Sequence, residues 1–171
     1  MSPNPSSTQK ALSGQVAIVT GGGRGIGRVI AQALAGMGVA ETEHQLGPVV
    51  LLVNNAGVAG PLGPLWEVAP EAWWRSVEIH LYGTVLYTRT VLRGMVQRQR
   101  GRIINVASVG ARPLPYGLSY GCAKTAQVYL TETLAAETQA HNIRVFAIHP
   151  GLVRSDMTEV PYVRTPVTTA W

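Results

Sequence analysis

Three polar residues in the second half of the chain could together perform acid–base chemistry on an oxygen atom. Tyr120 and Lys124 are four residues apart, so their side chains share one face if the segment is helical. An ammonium group beside a phenol stabilises the phenolate, and such a tyrosine can exchange a proton with a carbonyl or alcohol oxygen. Ser108 follows an apolar segment, where its hydroxyl could hold the same oxygen. Taken alone, a tyrosine and a lysine at this spacing more often belong to a solvated helix face.

A second segment with chemical potential is the glycine-rich stretch from Thr20 to Gly27, which reads TGGGRGIG. Glycines let the backbone turn tightly and approach a pyrophosphate, which then rests on the amino terminus of the following helix. An ordinary glycine-rich turn is the alternative. The apolar run before the segment and the helical pattern after it supply the context that a dinucleotide loop requires, and they favour that interpretation.

These residues must be positioned by elements that alternate between strand and helix patterns along the chain. Such alternation is typical of a parallel sheet covered by helices. Short apolar and β-branched runs predict strands, and apolar residues at helical spacing predict the segments that connect them. The strands are expected at residues 15–20, 49–53, 102–107 and 143–148, and the helices at residues 24–36, 70–100 and 119–140.

In this order, the motifs resemble those of the short-chain dehydrogenase/reductase family, and the resemblance extends from Leu12 to Met157. The chain has counterparts of the family's TGxxxGxG loop, of its NNAG turn at residues 54–57 and of its serine after a strand. It also has the YxxxK motif at Tyr120 and Lys124 and a proline-glycine pair at residues 150 and 151. The resemblance implies an α/β fold, a Rossmann-type three-layer α/β/α sandwich.

The resemblance also implies an activity, namely NAD(P)-dependent hydride transfer to or from a small-molecule carbonyl or secondary alcohol. In that reaction Tyr120 would be the acid/base, Ser108 would orient the substrate, and Lys124 would hold the nicotinamide ribose. Arg24 favours NADP weakly, because a guanidinium can bind a 2′-phosphate, although a solvated loop arginine is the alternative. The cofactor-binding residues expected from the family are Gly21, Gly23, Arg24, Gly25, Ile26, Gly27, Asn54, Ala56, Gly57, Tyr120, Lys124, Pro150, Gly151 and Ser155.

The chain is shorter than the family pattern. The residue that recognises the adenosine ribose should lie about 20 residues beyond the glycine motif. Counting from Gly27 reaches Gly47 and Pro48, next to the second predicted strand. The family's second and third strands are therefore expected to be absent, which leaves about four strands in the family order 1-4-5-6. His80 also departs from the family, because many members have there an asparagine that orders a proton-relay water.

The shortened sheet creates a conflict around the first helix, which must now lead from family strand 1 to family strand 4. If the helix keeps its face, the crossover becomes left-handed, against a rule obeyed in roughly 98% of cases. If it changes face, the glycine loop no longer presents a pyrophosphate site. We therefore expect the catalytic groups to persist while cofactor affinity falls strongly.

The alternative is a catalytically inactive fragment that acts at most through subunit association. In the family, the two helices matched by residues 70–100 and 119–140 form the main subunit interface. A homo-oligomer through these helices is therefore the form of association to expect.

Composition excludes several classes of protein. The 171 residues are 46% hydrophobic and 13% charged, which predicts one domain with a sizeable core. We expect a tail at residues 1–12, a shortened dehydrogenase domain at 13–157, and a second tail at 158–171. One cysteine, Cys122, permits no internal disulfide, and the four histidines lack metal-ligand spacing, so no metal is expected.

Charge and hydropathy limit the partners. The net charge of +5 invites a nucleic-acid interpretation, but no zinc-finger, helix-turn-helix or aromatic-basic motif accompanies it, so no nucleic acid is expected. Apolar stretches fall far short of the roughly 20 residues that span a bilayer, and no membrane partner is expected. The first residues lack the apolar core of a secretory signal, which makes a cytoplasmic location the expectation.

Overall fold

The predicted strand and helix segments alternate as expected in the computed structural model, which describes residues 14–36, 47–108, 115–151, 153, 155 and 157. Both expected tails lie outside these residues. The described elements are β1 (Val16–Val19), α1 (Gly25–Gly36), β2 (Val49–Asn54), α2 (Pro70–Val77), a π-helical turn (Glu78–Tyr82), α3 (Gly83–Arg98), β3 (Gly101–Val106), α4 (Leu118–Thr138), a 3₁₀ turn (Gln139–His141) and β4 (Ile143–Ile148).

The four described strands form one parallel sheet in the order β1-β2-β3-β4. This confirms the predicted α/β fold and the predicted strand order. Side chains alternate between the two faces of a strand, so residues paired across the sheet share a face. One such row crosses all four strands and consists of Ile18, Leu52, Ile103 and Val145.

That row faces α3 and α4, and the hydrophobic core lies between them. Met95 and Val91 of α3 and Leu134 of α4 pack against Leu52 and Ile103, all of them buried. A parallel sheet needs this cover, because its strands are largely apolar on both faces.

The first helix lies on the opposite face of the sheet. A side-chain carbon on Gly22 would lie within van der Waals contact of Val19 and of Ala31 in α1. Val19 points away from the face that carries Ile18, so the fold has three layers, as predicted. On the face of Val19, Phe146 and Ile148 at the β4 side of the sheet are exposed.

This placement resolves the conflict at the first helix. The steps from β1 to β2 and from β2 to β3 run in the same direction across the sheet. Their helices lie on opposite faces, so the two crossovers have opposite hands, and one of them departs from the usual right-handed rule. The glycine loop follows β1 directly, and the expected fall in cofactor affinity stays a prediction.

The long helix expected at residues 70–100 differs from the prediction in one respect. It is interrupted by the π-helical turn Glu78–Tyr82 and ends at Arg98, where Gln99 adopts a left-handed conformation with a φ of 52°. A π-helical turn accommodates one extra residue in a helix and is frequent at functional sites. Here the turn contains His80, which is buried.

None of the helices in the described part of the chain has both the length and the apolar character needed to cross a membrane.

Candidate active site

Because the described strands are parallel, the segments that follow them open at one edge of the sheet. Thr20 follows β1, Asn55 follows β2, Ser108 lies two residues beyond β3, and His149 follows β4. Ligands of open α/β sheets bind at this edge, outside the carboxyl ends of the strands. The predicted glycine loop, NNAG turn, serine and proline-glycine pair therefore all lie at the edge where a ligand is expected.

The glycine loop is shaped by two positions that accept no other residue without strain. Gly21 has a φ of 67°, in the left-handed region that side chains disfavour. Gly27, in the first turn of α1, is buried directly against the carbonyl oxygen of Gly21 and the side-chain nitrogen of Asn55. The loop thus folds tightly onto the helix terminus, where the first backbone N–H groups have no partner inside the helix.

Thr20 joins the glycine loop to the NNAG turn. Its Oγ1 accepts hydrogen bonds from the backbone N–H of Asn55 and of Ala56, each at 3.0 Å. The Nδ2 of Asn55 donates in return to the carbonyl oxygen of Thr20 at 3.2 Å. The sequence analysis included Thr20 in the motif without giving it a role. The signal for this role is that a threonine is the first residue of the glycine pattern.

A cleft of about 710 Å³ lies between the loop and the turn. This size is typical of small-molecule and cofactor sites. Most of the predicted cofactor residues line it, together with Asn55, Val58, Ala59, Ile79 and Met157, which the prediction did not include. The predicted residues in the lining are Gly21, Gly23, Arg24, Gly25, Ile26, Ala56, Gly57 and Ser155.

Six predicted cofactor residues lie outside this lining, and two of them, Tyr120 and Lys124, form the predicted catalytic pair described below. Gly27 and Asn54 are buried behind the cleft, and Asn54 uses its amide on other side chains. Pro150 and Gly151 are exposed beyond the end of β4. Their predicted cofactor contacts remain predictions.

The predicted catalytic pair is brought together on α4. The Nζ of Lys124 lies 5.8 Å from the ring centroid of Tyr120 and donates a 2.6 Å hydrogen bond to the carbonyl oxygen of Val106. Burial lowers the pKa of Lys124 from 10.5 to about 8, because the charged form loses solvation. Val106 is the last residue of β3, and the half-buried Ser108 follows two residues later.

His80 completes this cluster, although it was not among the predicted site residues. Its ring meets the ring of Tyr120 edge-on, with the centroids 5.1 Å apart. Its Nε2 lies 2.7 Å from the carbonyl oxygen of Val58, which lines the cleft. Burial, and then the charge of Lys124, lower the pKa of His80 from 6.5 to about 4, so the imidazole is neutral at pH 7.

A ladder of buried amides and hydroxyls lies beneath the cluster and connects the sheet to both covering helices. The Nδ2 of Asn54 donates to the Oδ1 of Asn105 at 2.8 Å and to the Oγ1 of Thr88 on α3 at 3.1 Å. The Nδ2 of Asn105 donates to the Oγ1 of Thr131 on α4 at 2.8 Å. Buried polar groups that are paired in this way fix the relative positions of the elements that carry them.

Within the described residues, no group of three or more His, Cys, Asp or Glu side chains is placed to hold a metal ion. Cys122 lies between Tyr120 and Lys124 in sequence, and its side chain is exposed.

Several known proteins are similar to this chain in sequence or in fold. A short chain dehydrogenase of Pseudocercospora fijiensis is 33% identical over 90% of this chain and 64% of its own length. A protein of Xanthobacter autotrophicus, named as an inactive 2-(S)-hydroxypropyl-CoM dehydrogenase, is 42% identical over 74% of this chain and 53% of its own. The crystal structure of an NAD⁺-bound xylitol dehydrogenase superposes with a TM-score of 0.77 at 28% identity, covering 83% of this chain and 72% of that one.

This chain therefore spans less than two thirds of the length of either relative. The family model described as short chain dehydrogenase matches residues 37–162, well over half of the chain. The resemblance read from the motifs is confirmed, and the chain belongs to the short-chain dehydrogenase family.

Proposed function

We propose that the cleft binds a nicotinamide dinucleotide and that the chain oxidises a secondary alcohol or reduces a carbonyl. The observation that carries the proposal is the position of Lys124, a buried cation one helical turn from Tyr120 at the edge where the glycine loop opens. The similarity of the fold to that of an NAD⁺-bound xylitol dehydrogenase supports the class of cofactor.

The residues present fit such a cofactor. The loop around Gly21 and Gly25 and the amino terminus of α1 suit a pyrophosphate, because their backbone N–H groups and the helix dipole favour an anion. Ala56 and Gly57 line the same cleft on the side towards Ile79 of the π-helical turn. Lys124 would hold the nicotinamide ribose.

In the proposed reaction, the bound cofactor supplies the carbon that gives or receives hydride. The hydroxyl of Tyr120 donates a proton to the substrate oxygen during reduction, and its phenolate accepts the proton of the substrate hydroxyl during oxidation. Ser108, at the end of β3, holds the same oxygen by a hydrogen bond. The ammonium of Lys124 stabilises the phenolate that forms when Tyr120 gives up its proton.

The pKa of Lys124 gives this mechanism a pH limit. With a pKa of about 8, Lys124 carries its charge at pH 7 and loses it as the pH rises further. Reduction should therefore decline on the alkaline side earlier than an ordinary lysine, with a pKa near 10.5, would allow.

We further propose a modest preference for NADP over NAD. Arg24 lines the cleft and is exposed, so its guanidinium can meet a 2′-phosphate on the bound dinucleotide. If Arg24 has this role, Arg24→Ala should weaken NADPH binding several-fold and leave NADH binding unchanged. Equal loss of both would assign Arg24 to the pyrophosphate instead.

The proposal is tested by cofactor binding and turnover in one set of variants. Cofactor binding is followed by energy transfer from tryptophan to NADH or NADPH, and turnover with a generic diketone. Tyr120→Phe should abolish turnover and leave cofactor binding nearly unchanged, because the phenol acts on the substrate. Tyr129→Phe, on the exposed side of α4, is the matched control and should behave as the native chain. Absence of saturable binding of either cofactor would overturn the proposal.

A second candidate function is subunit association without catalysis. One relative is named as an inactive dehydrogenase. On this chain, a groove of about 750 Å³ runs between α3 and α4, with Leu86, Leu92, Val96 and Leu130 in its lining. Leu86→Glu should convert a dimer to a monomer in sedimentation, whereas Val29→Glu, on α1, should not. A native chain that sediments as a monomer at all concentrations would exclude this candidate.

A further inference from the structure

One buried titratable side chain that the proposed chemistry leaves unused is His80. It is 1% exposed and lies in the π-helical turn. Its backbone carbonyl oxygen accepts hydrogen bonds from the Nε2 of Gln127 at 2.8 Å and from the Oγ1 of Thr84 at 2.8 Å. The backbone of His80 is therefore fixed to α4, which carries Tyr120 and Lys124.

The imidazole reaches from this anchor to the wall of the cleft. Its Nε2 lies 2.7 Å from the carbonyl oxygen and 3.2 Å from the backbone nitrogen of Val58. One ring nitrogen can be a donor or an acceptor in a given state, but not both. The shorter distance assigns Nε2 as the protonated nitrogen, donating to the carbonyl oxygen of Val58.

The other ring nitrogen, Nδ1, then carries a lone pair. It is buried and has no hydrogen-bond partner among the described residues. The α-carbon of Gly57 lies against the Nδ1–Cε1 edge of the ring so closely that a side-chain carbon at position 57 would collide with it. The ring is thus clamped between Gly57 on one edge and Tyr120, which it meets edge-on.

We propose that His80 is a positioning residue that acts as a neutral imidazole, holding Gly57 and Val58 of the cleft wall at a fixed distance from Tyr120. The chain of contacts runs from the cofactor side of the cleft, through the ring, to the group that exchanges the proton. The expected effect of this positioning on cofactor binding and turnover rests on the proposed function. The hold on Val58 does not, because it is a property of the protein alone.

The surroundings of the ring enforce the neutral state. The groups that face it from α4 are Lys124, whose charge opposes a second cation, and Tyr120. The segment 55–58 contributes no ionisable side chain, and Glu78 of the same turn is paired with Arg75. Protonation would place a charge beside Lys124 and an N–H without a partner against Gly57, so acid should loosen the clamp.

The first test reads the ring directly and needs no activity. NMR of the full chain with ¹⁵N-labelled histidine should show His80 as the neutral Nε2–H tautomer at pH 7, with imidazolium forming only near the pKa of about 4. An imidazolium or an Nδ1–H tautomer for His80 at pH 7 would overturn the inference, whatever the activity of the chain.

The second test separates positioning from filling of space. His80→Leu keeps most of the volume but removes the donor, and we expect cofactor binding to weaken about tenfold, as for the loss of one buried hydrogen bond. His80→Asn carries a donor and an acceptor on separate atoms, one for each polar group of Val58, and should restore binding. His141→Leu, at the far end of α4, is the control. Melting curves report whether each variant folds.

The outcomes distinguish this inference from the proposed function. If Tyr120→Phe abolishes turnover but His80→Leu binds cofactor and turns over like the native chain, the inference is wrong and the proposed function stands. If the native chain binds no cofactor but His80 is the neutral tautomer and His80→Leu shifts the amide signals of residues 57 and 58, the proposed function fails and the hold on Val58 stands.

Discussion

The two ends of this chain's site are supported very differently. The helix that carries Tyr120 and Lys124, α4, buries seven of its 21 residues against the sheet and its neighbours. The helix that follows the glycine loop, α1, buries one of its 12 residues, Gly27, and exposes 64% of Val29. The glycine loop is held instead by the three hydrogen bonds that link Thr20 to residues 55 and 56.

The proposed acid–base group and the proposed cofactor-binding loop are therefore held in place by different parts of the structure. Helices in proteins are stabilised mainly by the packing of one face, and segments with few buried contacts open at lower cost than the core. We therefore expect substitutions on the side of α3 and α4 to affect global stability, and substitutions on α1 to act locally.

The largest effect is expected at Met95, on the well-packed side. Its side chain is fully buried among the core residues, and Gly101 lies directly against it. Met95→Ala removes these contacts and leaves a cavity, so the free energy of unfolding should fall by about 2–5 kcal/mol. Urea denaturation measures it. A loss below about 1 kcal/mol would mean that this side is no better packed than α1.

The next effect concerns pH and Lys124. The folded chain releases this proton near pH 8, whereas the unfolded chain keeps it until about 10.5, so the unfolded state binds more protons between these values. The free energy of unfolding of the native chain therefore increases as the pH rises through this window, by roughly 3 kcal/mol in total.

Lys124→Met removes the titrating group. The free energy of unfolding of the native chain should therefore rise relative to that of the variant as the pH rises from 8 to 10.5. Denaturation at a series of pH values in both proteins isolates this contribution from that of other residues. Parallel curves would show that Lys124 titrates as if it were exposed.

A smaller effect is expected in the polar ladder at Asn105. Asn105→Ala takes away the acceptor used by Asn54 and the donor used towards Thr131, leaving buried polar groups less well paired. We expect a loss of about 1–3 kcal/mol in the free energy of unfolding. Gln97→Ala, at an exposed position of α3, is the control and should change stability little. Equal effects of the two would contradict the role given to the ladder.

The smallest effect is expected at Val29 on α1. Val29→Ala removes a side chain that is mostly in water, so the free energy of unfolding should change by less than about 0.5 kcal/mol. Hydrogen exchange should at the same time show weaker protection for α1 than for α4. A cost above about 1 kcal/mol would show that α1 is packed against something, and the contrast between the two sides would disappear.

The sequence predicted the regular elements well, because their signals are local. Runs such as residues 49–53 and 143–148 contain the β-branched and apolar residues of buried strands, and both segments are strands in the structure. The π-helical turn at Glu78–Tyr82 was missed, because the helical pattern continues on both sides of it. What singles out the turn is the burial of His80 against Val58, 22 residues away, and no local periodicity encodes that contact.

The site was predicted in outline for a similar reason. Ordered motifs located the glycine loop and the pair Tyr120 and Lys124, whose spacing on one helix is a local property. The roles of Thr20 and Asn54 depend on which strands are neighbours, and that is fixed only by the whole sheet. Asn54 was expected at the cofactor, yet its amide is turned into the interior towards Asn105.

The amide ladder has a consequence for how the strands find their alignment. Asn54 and Asn105 are directly paired across β2 and β3, on the face that carries Leu52 and Ile103. A slip of β2 by one residue against β3 would turn Asn54 to the other face, away from Asn105 and Thr88, and leave its amide buried and unpaired. Neighbouring apolar residues such as Leu51 and Leu52 discriminate poorly between the two alignments, since either side chain can fill an apolar layer. The two asparagines therefore favour the native register of β2 against β3 over a register shifted by one residue.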